Sequence, residues 1–86
     1  MKVLVPSQLR DYTGGEHAVQ GRGESLAALL ADLDLRYPGI RFRVIDEQES
    51  IRRHIKIFVN GKQARALDLV LAERDEIVIV GALSGG

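Results

Sequence analysis

Residues 76–86 read EIVIVGALSGG. Four β-branched residues follow Glu76 without a break, which is strand composition, and the run is short enough to be a single strand. Almost nothing separates that strand from a bare Gly85-Gly86. Two glycines remove every side chain beside a free carboxylate, and at ordinary glycine usage such an ending arises by chance roughly once in two hundred sequences. Frayed termini and cloning remnants also end this way, so the weight of the pair rests on what precedes it.

Upstream, the periodicity gives an ordered set of elements. Glu73-Arg74-Asp75 turns into the last strand, and Leu67, Val70 and Leu71 are expected to tuck a short turn under the sheet. Before them lies a hairpin: His54-Ile55-Lys56-Ile57-Phe58-Val59 alternates as a strand, Asn60-Gly61 is the strongest short turn signal in the chain, and Lys62 to Arg65 returns. The segment IRFRVIDE is ambiguous. Ile40, Phe42 and Val44 alternate as in a strand, whereas Ile40, Val44 and Ile45 suit a helical turn. Leu26, Leu29, Leu30 and Leu33 fall at helical spacing behind Ser25, an N-cap residue; the stripe extends to Tyr37, and Pro38-Gly39 ends it. At the start, Lys2 to Val5 is a strand stopped by Pro6, and His17 to Gln20 returns as its hairpin partner after the turn-rich YTGGE, ending at Gly21-Arg22-Gly23.

Composition narrows the function. The chain has 86 residues, 45% of them apolar and 28% charged, which suits one domain with a single modest core. Formal net charge is zero and only 5% of residues are aromatic, so nucleic acid is not an expected partner. There is no cysteine, which excludes disulfides, thiolate metal sites and cysteine nucleophiles. MKVLVPSQ breaks at Pro6 after a very short apolar run and does not read as a signal peptide; with no stretch of membrane length, a cytoplasmic protein with no membrane partner is expected.

The predicted order is β-β-α-β-β-β: an α+β fold with one main helix across a small mixed sheet, the first and last strands being central neighbours. This is a ubiquitin-like β-grasp arrangement. With a final strand running straight into Gly85-Gly86, the whole chain resembles the MoaD/ThiS family of sulfur carriers. The resemblance is carried by LRDYTGG after the first strand, SLAALLADL on the helix, YPGI after it, IFVNG at the hairpin and the terminal glycines. Residues 9–15 with 37–40 are most similar to the CysO-like branch, whose members carry sulfur for cysteine synthesis; related carriers serve siderophore pathways. Two features depart from the family pattern. Arg74 stands where members often have the Gly of an Asp-Gly-Asp turn, and a non-Gly residue in a left-handed turn costs on the order of 1 kcal/mol, so a different turn is expected. Gly81-Ala82-Leu83-Ser84 stands where many molybdopterin synthase small subunits have a proline. The expected division is a β-grasp domain at 1–81 and a flexible tail at 82–86.

The resemblance implies a protein that is not itself an enzyme. Its Gly86 carboxylate is adenylated by an E1-like adenylating enzyme that uses ATP; a sulfur donor then displaces AMP, leaving a thiocarboxylate that supplies sulfur to an accepting biosynthetic enzyme. No cofactor is bound by the carrier, and catalytic residues lie on partners. Chemistry independently favours glycine here. A carboxylate is a poor electrophile until adenylated, and the adenylate must be shielded from water in a narrow channel. Leu83, Ser84, Gly85 and Gly86 would thread that channel, where only bare backbone fits at the end. The implied alternatives are a molybdopterin synthase small subunit and a ubiquitin-like modifier conjugated through Gly86. A non-covalent module with an incidental tail is a third possibility, since the fold alone does not fix function.

Strand parity indicates where a partner would dock. Charged Lys2, His54, Lys56 and Glu76 mark the outward face, so Leu4, Phe58, Val78 and Val80 share it, whereas Val3, Val5, Ile55, Ile57, Val59, Ile77 and Ile79 face the helix. An apolar outward face adjoining the tail reads as a partner surface; its residues could also lie under a loop or be scattered singly. His17 and His54 have no partners at ligand spacing and read as solvated, with no metal site expected. The turn glycines match no phosphate-binding spacing. Arg41, Arg43, Arg52, Arg53 and Lys56 are interrupted by Asp46, Glu47 and Glu49, which reads as a salt-bridged surface, with steering toward an acidic partner as the functional alternative.

Overall fold

The strand at the end of the chain sits at the middle of the sheet. In the computed structural model, which describes residues 1–81, the strands are β1 (Lys2–Leu4), β2 (Ala18–Gln20), β3 (Ile55–Val59), β4 (Lys62–Ala64) and β5 (Glu76–Gly81). Among the described residues they form one sheet in the order β2-β1-β5-β3-β4. β1 pairs with β5 in parallel and with β2 in an antiparallel hairpin; β3 is antiparallel to both β5 and β4. The ubiquitin-like β-grasp expected from the order of elements is the fold observed.

Helix α1 (Leu26–Arg36) covers one face of this sheet. Leu26, Leu29, Leu30 and Leu33 are all buried against Val3, Val19, Ile57, Ile77 and Ile79, and each such side chain contributes roughly 1.5–3 kcal/mol of transfer free energy. Ser25 caps the helix as its composition predicts, its Oγ accepting from the Ala28 N–H at 3.2 Å. The loop before β5 meets further backbone groups: the Leu26 and Ala27 N–H groups donate to the Leu69 and Leu67 carbonyls at 3.0 and 2.8 Å. That anchoring buries Leu71 and half-buries Leu67, but it turns Val70 outward, 80% exposed. The expectation that Val70 tucks under the sheet is therefore corrected: its backbone bridges to Ser25, and its side chain is left in solvent. Gly23 lies so close to α1 that a Cβ there would sit 2.4 Å from the Leu29 backbone nitrogen, which cannot move aside.

The ambiguous segment is helical. Asp34 Oδ1 accepts from the N–H groups of Gly39 and Arg41, both at 3.1 Å, and Gly39 takes a φ of 97° that starts a second short helix, α2 (Ile40–Val44). Ile40, Val44 and Ile45 then point into the core while Phe42 is 57% exposed, the opposite of strand alternation. The residues after Pro6 also hold more structure than a turn: Ser7–Thr13 is a 3-10 helix, closed by Gly14 at φ 65°. Asn60 and Gly61 adopt φ values of 51° and 86°, the left-handed pair that a two-residue hairpin requires. Arg74 needs no such conformation. Asp75 closes its turn instead, Oδ2 accepting from Ala72 N–H at 2.8 Å and Oδ1 from Asn60 Nδ2 at 2.9 Å.

Candidate functional site

The inward parity read from the sequence holds: Val3, Val5, Ile55, Ile57, Ile77 and Ile79 are buried, and Val59 is half-buried against the same core. Leu4, Phe58 and Val78 are half-buried on the opposite face, and Val80 is 41% exposed. Register brings three of these residues into line. Leu4 pairs with Val78 across β1–β5, and Phe58 pairs with the same Val78 across β3–β5. Directly paired residues on one face stand about 5 Å apart, so the three side chains make a continuous apolar row across the sheet centre. Ala18 and Gln63 occupy the ends of the row.

Polar neighbours bound the row on both sides. Lys2 and Glu76 pair one step toward the start of β5, and Lys56 pairs with Val80 one step toward its end. The apolar patch is thus narrow, and on the side of Gly81 only Val80 continues it. Leu83, Ser84, Gly85 and Gly86 lie outside the described residues. At Gly81 itself the carbonyl accepts from Gln8 Nε2 at 3.0 Å, a contact between residues 73 positions apart that no local sequence pattern signals.

Three residues of the basic run, Arg41, Arg43 and Arg52, are used locally. Arg41 pairs with Glu49 at 2.9 Å. Arg52 donates through Nε to the Phe42 carbonyl at 2.7 Å and lies 4.7 Å from the Phe42 ring centroid. Arg43 donates to the Tyr12 hydroxyl at 2.6 Å, joining α2 to the 3-10 helix. These contacts make the segment around α2 a braced surface. His17 and His54 are both exposed, and among the described residues no group of His, Asp and Glu is placed to share a metal ion. No helix among the described residues is long and apolar enough to cross a membrane. Lys2 and Glu76, of opposite charge, pair beside the apolar row, and the row itself offers apolar contact with no acid, base or nucleophile among its described residues.

Residues 3–86 match the ThiS family. The chain belongs to that family. The match takes in Gly85 and Gly86 as well as the sheet and helices. This ThiS-family chain is 34% identical over 89 residues to the sulfur carrier protein CysO of Mycobacterium tuberculosis, with 98% of this chain and 96% of the relative covered. A chain of the Amycolatopsis orientalis BexX/CysO complex has a TM-score of 0.90 at 31% identity, covering 99% of this chain and 98% of that one. The small archaeal modifier protein 1 (SAMP1) of Methanosarcina acetivorans has a TM-score of 0.79 at 29% identity, covering 99% and 94%. The resemblance to MoaD/ThiS carriers, and to their CysO-like branch, is borne out at the level of family.

Proposed function

We propose that this ThiS-family chain is a sulfur carrier for the biosynthesis of cysteine or a related sulfur-containing metabolite, acting through its Gly86 carboxylate. The observation that carries this reading is the near-full-length similarity to a sulfur carrier protein, continuous with a family match that extends to residue 86. In the proposed route a carboxylate oxygen of Gly86 attacks the α-phosphorus of ATP on an E1-like enzyme, and pyrophosphate leaves. A sulfide-level donor attacks the acyl carbon, AMP leaves with the C–O bond electrons, and a thiocarboxylate remains. No oxidant or reductant enters. The chain's own part is to dock and to present backbone, so catalysis is assigned to its partners and ATP to the activating enzyme.

Two features of the chain support the route. The apolar row of Leu4, Val78 and Phe58, with Val80 beyond it, lies on the sheet face leading to Gly81, where an activating enzyme could dock and receive the tail together. Removing side chains at 85 and 86 suits a channel narrow enough to keep water from an acyl-adenylate. A relative found in the BexX/CysO complex supports a protein partner for this chain as well.

The test is direct because the chain has no cysteine. Incubated with the E1-like enzyme of its own organism, ATP and a sulfide source, the protein should acquire one group on its C-terminal peptide that a thiol reagent alkylates. Intact mass alone misleads, since oxidation of Met1 adds nearly the same mass as oxygen-to-sulfur exchange. With an enzyme shown to be active, absence of an alkylated C-terminal peptide sinks the carrier reading. High-molecular-weight conjugates in cells that disappear on deleting Gly86 would favour a protein modifier instead.

A further inference from the structure

β5 is held unequally along its two sides. On one side β3 accompanies it to its last residue, through Ile55 opposite Gly81. On the other, β1 accompanies it only to Val78, opposite Leu4. Pro6, which has no N–H, then ends any continuation of β1, and the Val5 N–H is already spent on the His17 carbonyl at 2.8 Å. The last three residues of β5 therefore lack a strand on that side. Gln8 fills the gap. The 3-10 helix that follows Pro6 carries it back beside the end of β5, where Nε2 donates to the Gly81 carbonyl at 3.0 Å. The fit is close: a Cβ on Gly81 would meet the Gln8 carboxamide carbon, nitrogen and oxygen at 3.0, 3.0 and 3.1 Å.

We propose that Gln8 is a positioning residue for activation of the tail: its carboxamide stands in for the missing β1 partner and keeps the chain in the sheet through Gly81. The idea rests on the carrier reading above. A residue fixed before the encounter need not be ordered during it, so the partner enzyme is relieved of arranging Gly81. Without the Gln8 donor, the end of β5 frays and Gly81 must be ordered at each encounter. That loss appears in recognition of the carrier rather than in the chemical step.

Gln8→Glu tests this because it keeps the shape and removes the donor, facing a carboxylate toward a carbonyl oxygen. In the 15N-labelled protein alone, the backbone order parameter of Gly81 should fall from about 0.85 to below about 0.6, while thermal stability stays within a few degrees. In pyrophosphate exchange with the E1-like enzyme, KM for the carrier should rise roughly five- to tenfold with kcat within about twofold, the cost of ordering one more backbone residue. Gly81→Ala, which displaces the carboxamide, should reproduce the KM effect, and the double variant with Gln8→Ala should be no worse than either single one. An unchanged Gly81 order parameter in Gln8→Glu, or an unchanged KM where the wild-type protein is turned over, overturns the proposal. Failure of the wild-type protein to be adenylated counts against the carrier reading instead, and the order parameter still decides whether Gln8 holds Gly81.

Discussion

Phe58 stands directly across the β3–β5 ladder from Val78, on the face turned away from α1, while its chain neighbour Ile57 is fully buried beneath that helix. Consecutive residues of β3 thus serve different ends: Ile57 holds the core together, and Phe58 extends an apolar row toward Leu4. On the proposed function this row is where the activating enzyme makes its apolar contact.

Truncation separates the two residues. Phe58→Ala should change stability by well under 2 kcal/mol, yet weaken binding to the activating enzyme by about 2 kcal/mol or more, as loss of an interface anchor does. Ile57→Ala should cost about 2–5 kcal/mol of folding stability, a large share of what a domain this small possesses. Chemical denaturation of both variants, with a binding titration on whichever remains folded, checks the pair. A stable, fully binding Phe58→Ala protein would remove the row from the partner surface.

The terminal glycines should matter to activation and not to folding. Every buried core residue of the described chain lies at or before Ile79, so Gly85→Ala and Gly86→Ala should shift stability by no more than about 0.5 kcal/mol. Adenylation should fall sharply, because a methyl group enters a channel proposed to admit only backbone. Thermal melts alongside pyrophosphate exchange decide between this and an ordinary terminus, for which both measurements would be unchanged.

Acid should loosen the turn that leads into β5. The Ala72 N–H and then the Asn60 side-chain amide, both donating to Asp75, hold its carboxyl below the usual carboxylate value. Asp32 is lowered likewise, first by the Arg22 backbone N–H and then by Arg36. A depressed folded-state pKa stabilises fully above the unfolded value, about 3.9, and the contribution is lost as pH falls through the folded one. Asp75→Asn, which keeps one acceptor oxygen of two, should lower the denaturation midpoint at pH 7 and reduce the further drop between pH 4 and pH 2. Denaturant titrations at those pH values test it; an acid dependence identical to wild type would show that Asp75 carries none of it.

The sequence alone determined the strands, the leucine stripe of α1, the hairpin at Asn60-Gly61 and the two faces of the sheet. These are local properties. Alternation along Ile55–Val59 and Glu76–Val80 assigns each side chain to a face whatever the neighbouring strands are, because successive residues of a strand point to opposite sides. It also carried the family, since the glycine ending and the element order are both written in the chain. Tertiary structure decided the rest. Ile40 to Ile45 suits a strand or a helix until Asp34 and Gly39 set the backbone entering it, and Val70 faces solvent because the helix N-terminus claims the carbonyls around it. Whether Leu4, Val78 and Phe58 form a row, and whether Gln8 reaches Gly81, depends on register among strands far apart in sequence. Register is fixed by burying one face of every strand at once against α1, a condition on the whole sheet that no single segment contains.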